Sequence, residues 1–214
     1  FGGLFMAYIA MRYFYSDTFS MVQTKNLLSI PMGFTNTLVL LTSSLTMALA
    51  VREAQLIPVE ENEESVRHRK NMMKLLLVTA VLACGFLVIK YFEYSHKIHI
   101  GLLPGKLYAY EGWEVVRQGA TETQWGQFVG TLNDQGKLVV QDAPHIFFAL
   151  YFIMTGVHGL HVVIGVGVIL WLYLRGKRGE FNEENYMAVE NVGLYWHLVD
   201  LIWIFLFPLL YLVK

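Results

Sequence analysis

The stretch from residue 146 to residue 173 contains no Lys, Arg, Asp or Glu. About 20 mostly apolar residues in a helix are enough to cross the hydrocarbon core of a bilayer. Further mostly apolar runs occupy residues 31–51, 73–94 and 189–213. Buried helices of soluble proteins are usually shorter and carry a polar face. These four runs therefore indicate helices that span a membrane.

A shorter apolar segment, residues 1–15, is interrupted by Arg12 and is too short for a complete span. Because the sequence does not start with Met, we interpret this segment as the end of a helix whose beginning is missing. The sequence therefore predicts an all-α, polytopic membrane bundle. It has five transmembrane helices, the first truncated at its N-terminus, in a single domain over residues 1–214.

The composition excludes several other classes of protein. Hydrophobic residues make up 55% of the chain, charged residues 15%, and the formal net charge is -1. A disordered chain would be less hydrophobic and more charged, and a nucleic-acid-binding protein would carry a clustered basic excess. The single cysteine, Cys84, excludes an intrachain disulfide framework and a cysteine-rich metal site. No nucleophile or phosphate-binding motif of soluble enzymes is present in the sequence.

Basic residues predict the orientation of the spans. Two short loops, 52–74 and 175–187, carry dense Lys and Arg, whereas the other side has fewer basic residues per length of chain. Short loops rich in Lys and Arg stay in the cytoplasm. We therefore expect the N-terminus inside, the C-terminus outside, and a long outer loop over residues 95–144. Within that loop, a turn at Asn133–Gly136 separates two short extended pieces, 128–132 and 137–140.

Polar side chains within the spans are the candidate functional residues, because ionisable groups are costly in a bilayer and usually face protein or water. His158 and His161 are three residues apart and share one face of their helix, as do Glu190, His197 and Asp200 on the last helix. The candidates are Asn36, Glu93, His158, His161, Glu190, His197 and Asp200.

Two interpretations of these residues remain open. A hydrogen-bonded polar cluster would fix helix packing, whereas a haem or metal site could use His161 and His197 from facing helices. Two histidines three apart cannot both ligate one face of a haem, which favours the structural interpretation. Glu93 and Lys90 are expected to snorkel or pair near the outer interface, with a proton relay as the alternative.

Hydroxyl and aromatic side chains of the spans have simpler expected roles. The Ser and Thr residues of the second span are expected to join helices, with a substrate path as the alternative. Aromatic residues at span ends are expected to be interfacial anchors. These are Trp113, Tyr195, Trp196 and Tyr211.

The same residues carry a resemblance to a known family. The sequence TGVHGLHVVIG at residues 155–165 closely resembles the penultimate helix of subunit III of haem–copper cytochrome c oxidases, and YWHLVDLIW at 195–203 resembles its last helix. Two further segments resemble earlier helices of that family: NTLVLLTSS at 36–44 and the FEY that contains Glu93. FGGLF at 1–5 resembles the helix with the family's carbodiimide-reactive glutamate, which would precede Phe1. Five helices resemble the short bacterial form.

This resemblance implies a subunit that binds no haem or copper itself, with those cofactors held by partner subunits. It implies packing against subunits I and II, bound structural phospholipids, support of proton uptake, and a place in the inner membrane of a bacterium. It further implies that the oxidase could be part of a respiratory supercomplex. It implies no nucleic acid as a partner. The electron donor stays open between cytochrome c and quinol. A free-standing haem-binding protein that uses His161 and His197 is the alternative from another class.

Overall fold

The computed structural model describes residues 1–14, 28–99, 102, 129–132, 138–142 and 144–212. Most of these residues are helical. The helices are α1 (Gly2–Phe14), α2 (Ile30–Gln55), α3 (Glu63–His99), α4 (Pro144–Lys177) and α5 (Met187–Phe207), and a π-helix (Pro208–Leu212) follows α5. Two short strands, β1 (Val129–Leu132) and β2 (Leu138–Asp142), precede α4.

Four segments within the described residues are long and apolar enough to cross a membrane: α2, α3, Ile146–Lys177 and Met187–Leu212. Their outward surfaces carry many exposed Leu, Ile, Val and Phe side chains, as expected where lipid replaces water. The prediction of a helical membrane protein is therefore confirmed. The fifth segment forms α1, which has 13 described residues and is not among the candidate spans. The inside–outside orientation stays a prediction.

Local sequence explains where two of the helices begin. Pro31 occupies the first turn of α2, where a missing N–H is tolerated. Asn62 caps α3, because its Oδ1 accepts the backbone N–H of Ser65 at 2.9 Å while Ser65 Oγ accepts the N–H of Asn62 at 3.1 Å. Glu63 and Glu64 then place negative charge in the first turn of α3.

The outer loop is shorter than predicted, because α3 continues past Tyr94 to His99. Lys97 lies one turn after Glu93 and pairs with it, and such a pair stabilises a helix. The rest of the predicted loop lies outside the described residues, except Leu102 and the two strands. β1 and β2 correspond to the predicted extended pieces and pair antiparallel, whereas the predicted turn at Asn133–Gly136 lies outside the described residues.

The end of the last span differs from a continuous α-helix. Pro208 cannot donate a backbone hydrogen bond, and the chain widens there into the π-helix. Leu210 and Tyr211 on this turn are buried. The π-helix therefore directs Tyr211 into the protein, at a position where the sequence predicted an interfacial anchor.

The chain divides into two compact units. The first unit comprises residues 1–30, 91–156 and 210–214, and its core includes Tyr8, Phe147, Phe148 and Tyr151. The second comprises residues 31–90 and 157–209, and its core includes the large side chains Met47, Phe86, Trp196 and Trp203. In the part of the chain that the structure describes, buried polar groups occur in both units.

Candidate functional site

In the first unit, three donors converge on one carboxylate oxygen. Glu93 Oε1 accepts hydrogen bonds from Lys97 Nζ at 2.6 Å, Tyr151 OH at 2.9 Å and Tyr211 OH at 2.5 Å. The side chains of Lys97 and Glu93 are 2% and 4% exposed. We call these four residues the Glu93 network.

The network compensates the charge that it buries. The Lys97 ammonium also donates to Tyr151 OH at 3.0 Å and lies 4.4 Å from the centre of the Tyr151 ring. Hydrogen bonds to charged groups are stronger than neutral ones, and a paired ammonium and carboxylate bring no net charge into the apolar interior. Thr155 extends the cluster, because it hydrogen-bonds with Tyr94 and donates to the Tyr151 carbonyl. The arrangement can therefore hold the end of α3 against the start of α4 and the π-helix.

The sequence predicted only part of this network. Glu93 was expected to pair or snorkel; it pairs, but it is buried rather than extended to an interface. Its partner Lys97 falls within the predicted outer loop, and Tyr151 is not among the predicted candidates. Tyr211 was interpreted as an interfacial anchor, which is wrong because it is 5% exposed and bonded to Glu93. The spacing of four residues between Glu93 and Lys97 was the signal that could have revealed the pair.

In the second unit, hydroxyl groups of α2 meet aromatic and imidazole nitrogens of α5. Trp203 Nε1 donates to Thr37 Oγ1 at 3.1 Å, and Trp196 Nε1 donates to Ser43 Oγ at 3.2 Å. Ser44 Oγ lies 2.7 Å from His197 Nδ1. The order of these contacts along the two helices shows that α2 and α5 run antiparallel.

Other contacts join the remaining helices of this unit. Thr46 on α2 hydrogen-bonds with Thr79 on α3 at 2.7 Å. Tyr195 OH on α5 donates to the carbonyl of His161 on α4 at 3.0 Å. The prediction that the hydroxyl residues of the second span join helices is confirmed for Ser43, Ser44 and Thr46. Thr42 instead donates to the Leu38 carbonyl of its own helix.

Two of the predicted interfacial anchors lie in this unit. Trp196 is 1% exposed and bonded to Ser43, so its assignment as an interfacial anchor is wrong. Tyr195 is half-buried. Trp113 lies outside the described residues.

The two histidines of α4 have different surroundings, although their spacing placed them on one face. His158 is fully buried, with its ring centre 5.5 Å from that of Phe86 and 5.1 Å from that of Trp203. His161 is half-buried, and its Nδ1 lies 2.8 Å from the Val157 carbonyl oxygen of the same helix. Three residues turn a helix by about 300°, which leaves the two side chains about 60° apart. That difference is enough to bury one ring and leave the other at the edge.

The remaining candidates occupy distinct places. Asn36 is fully buried on α2, and Asp200 is 4% exposed on α5 and interacts with Ser44. Glu190 is half-buried in the first turn of α5, about 15 Å along the helix axis from Asp200, where its charge suits the helix dipole. Lys90 is buried, with Nζ 4.5 Å from the centre of the Trp203 ring. The structure therefore places His158 and Lys90 against Trp203 and Asp200 beside Ser44, and it leaves Glu190 apart.

Several polar atoms of this second cluster have no hydrogen-bond partner among the described residues. They are Asn36 Oδ1 and Nδ2, both ring nitrogens of His158, and Asp200 Oδ1. Leaving such a group unpaired in the interior costs about 1–3 kcal/mol. The second unit thus has hydrogen-bonding capacity that its own side chains do not use.

A metal site requires converging ligands. Within the described residues, no group of three or more His, Cys, Asp or Glu side chains is placed to hold a metal ion. The Nδ1 atoms of His161 and His197 lie at hydrogen-bond distance from Val157 O and Ser44 Oγ.

Comparison with known proteins agrees with the motifs. Residues 135–214, which include α4 and α5, match the family model described as cytochrome c oxidase subunit III. Over its whole length the chain is 24% identical to the cytochrome c oxidase subunit 3 of Bacillus sp. (strain PS3), covering 78% of that protein. Over its last two helices, and at lower identity over its whole length, the chain is therefore similar to cytochrome c oxidase subunit III.

Other proteins of this name match the chain over shorter stretches. It is 44% identical over 70 residues to cytochrome c oxidase subunit 3 of Thermostichus vulcanus, which is 32% of this chain and 35% of the relative. It is 28% identical over 186 residues to the subunit 3 of Loxodonta africana, which is 87% of this chain and 51% of the relative. The chain therefore spans about a third to a half of the length of these two curated relatives.

Proposed function

We propose that this chain is subunit III of a proton-pumping haem–copper terminal oxidase, which passes electrons from cytochrome c to oxygen in aerobic respiration. In this role it is a non-redox subunit that stabilises the catalytic subunit, binds phospholipids and supports proton uptake. The observation that carries the proposal is the match of α4 and α5 to the subunit III family. The oxidase as a whole would be the enzyme, with haem and copper in the partner subunits.

The surface of α5 supports a role in contact with lipid and partner helices. Leu194, Leu198, Leu201 and Phe205 are 62%, 58%, 50% and 59% exposed. Their spacing places them along one side of α5. Such an apolar stripe suits the acyl chains of phospholipids and the helices of a catalytic subunit.

The engagement of the polar side chains supports a non-redox role. Ser43, Ser44 and Thr46 on α2 contact α3 and α5, and Glu93 is held in its network. These groups fix the packing of the helices that they join. A subunit that stabilises a neighbouring subunit needs such a fixed arrangement. The proposed location is the inner membrane of a bacterium.

Co-purification tests the proposal. The chain is tagged in its native host, the complex is extracted in mild detergent, and the co-purifying polypeptides, lipids and haems are identified. We expect subunits I and II, phospholipids, and a haem spectrum that stays with subunit I when the subunits are separated. A stoichiometric haem signal on this chain, removed by replacing His161 and His197 with Ala, would support the free-standing haem protein instead.

The electron donor is tested on the same preparation. We expect oxygen uptake with reduced cytochrome c and a copper-containing subunit II. Oxygen uptake with quinol alone, and a subunit II without copper, would identify a quinol oxidase. Removal of this chain, followed by its re-addition, tests its support of proton uptake: removal should slow turnover, most strongly at high pH where protons are scarce.

A further inference from the structure

Trp203 contacts His158 and Lys90, and two further buried polar residues of the second unit, Asn36 and Asp200, lie within one helical turn of Thr37 or of Trp203 itself. Trp203 Nε1 donates to Thr37, which follows Asn36 in α2. The His158 ring lies 5.1 Å from the Trp203 ring, and Asp200 precedes Trp203 by one turn of α5. We call Asn36, His158 and Asp200 the Trp203 layer.

Unpaired hydrogen-bonding atoms are concentrated in this layer. Each of the three side chains has at least one polar atom without a hydrogen-bond partner among the described residues. One further buried atom of this kind, Arg69 Nε, occurs in the described residues outside this layer. Asn36 and His158 are 0% exposed, and Asp200 is 4% exposed. Whatever satisfies them must therefore be small enough to be enclosed by the helices.

The hydrogen-bonding character of the unpaired atoms limits the kinds of molecule that could bind to them. The Asn36 amide needs both an acceptor and a donor, neutral His158 needs the same, and the Asp200 carboxylate oxygen needs a donor. A metal cation would leave the Asn36 NH2 without an acceptor. An anion would donate nothing to the acceptor atoms of Asn36, His158 and Asp200. A small neutral molecule that both donates and accepts meets all of these needs.

We propose that the Trp203 layer is an internal hydration site, in which ordered water hydrogen-bonds with Asn36, His158 and Asp200 and joins α2, α4 and α5. Internal waters make about three hydrogen bonds to buried polar groups, and the layer provides donors and acceptors on three helices. The site lies within the membrane-spanning part of the chain, where a lipid offers no replacement for these bonds.

A density map of the purified complex tests the site directly. At a resolution that shows ordered water elsewhere in the protein, we expect a water peak about 2.7–3.2 Å from a His158 ring nitrogen and near Asn36 or Asp200. A map that resolves other internal waters but shows none here would overturn the proposal. So would a protein group hydrogen-bonded to both nitrogens of His158.

The substitution His158→Phe distinguishes a hydrated layer from a dry one by the sign of its effect. Phe keeps the aromatic contacts with Phe86 and Trp203. If the ring nitrogens bind water, their loss leaves that water and its other partners unsatisfied, and Tm falls by about 3 °C. If the layer is dry, Phe removes two unpaired polar atoms and Tm rises or stays unchanged, which contradicts the proposal.

His161→Phe is the matched control on the same helix. The His161 ring is half-buried and its Nδ1 contacts a carbonyl of its own helix, so we expect a smaller decrease in Tm than for His158→Phe. An equal or larger decrease for His161→Phe would count against the assignment. If His158→Phe does not assemble, the density map of the wild-type complex decides the question.

Discussion

The substitution Lys97→Met removes the ammonium group from the Glu93 network and leaves the rest in place. Met has a similar length and is apolar, so the change leaves packing largely intact while the Glu93 carboxylate loses its countercharge. The two side chains are 2% and 4% exposed, so water cannot replace the lost partner without opening the helices. We therefore expect a large decrease in stability.

The size of the decrease follows from the burial of the pair. Removing one partner of a buried ion pair costs about 3–5 kcal/mol. Tyr151 and Tyr211 still donate to Glu93 Oε1, which favours the lower end, about 3 kcal/mol. For a chain of this size each kcal/mol shifts Tm by roughly 2–4 °C, so Tm should fall by roughly 6–12 °C.

The assay is thermal unfolding of the purified complex in detergent, followed by the loss of the soluble, monodisperse fraction. Glu93→Gln combined with Lys97→Met removes both charges and should recover much of the loss. Arg178→Met is the matched control, because Arg178 lies 3.8 Å from Glu180 but is 75% exposed, and such surface pairs contribute about 1 kcal/mol or less. Lys97→Met with wild-type Tm, or a double variant as unstable as the single one, would refute the reasoning.

Three further predictions concern the second unit. Gly165→Ala should destabilise by about 1–3 kcal/mol, because a Cβ there would lie 2.7 Å from an indole carbon of α5. Ser44→Ala should lower stability by about 1 kcal/mol through loss of the bond with His197. Asp200→Leu should reduce the yield of assembled complex more than the rate of haem reduction, measured by gel filtration and stopped-flow absorbance.

Each of these has its own check. Gly167→Ala is the control for Gly165→Ala, because among the described residues no atom outside the nearby part of its own helix lies within 4 Å of the added Cβ. Equal Tm values for the two would argue against a tight contact. Thr42→Ala is the control for Ser44→Ala, since Thr42 bonds its own helix. For Asp200→Leu, full assembly with abolished haem reduction would contradict the structural role.

The spans were predictable because the cost of burying charge in a bilayer is visible in a single sequence. The run over residues 146–173 and the three similar runs needed no knowledge of the neighbours to be recognised as helices. The boundary of α3 was less predictable. Lys97 is a charged residue, which suggested a loop, whereas its pairing with Glu93 extends the helix to His99.

The aromatic residues show why a candidate site is harder to predict. Trp196 and Tyr211 have the amphipathic character of interfacial anchors, and that character is equally suited to a buried hydrogen bond. Whether the polar end meets a headgroup, Ser43 or Glu93 depends on which helix packs alongside. That information comes from residues far apart in the chain.

Sequence by itself determined the membrane class, the helical nature of the spans, the family motifs in α4 and α5, and the short set of polar residues placed within the apolar runs. Tertiary structure decided the roles of those residues. It paired Glu93 with Lys97, Tyr151 and Tyr211, it buried His158 while leaving His161 half-buried, and it brought Ser44 to His197. The physical reason is that a polar group in an apolar interior is defined by its hydrogen-bond partners, and here those partners lie mostly on other helices.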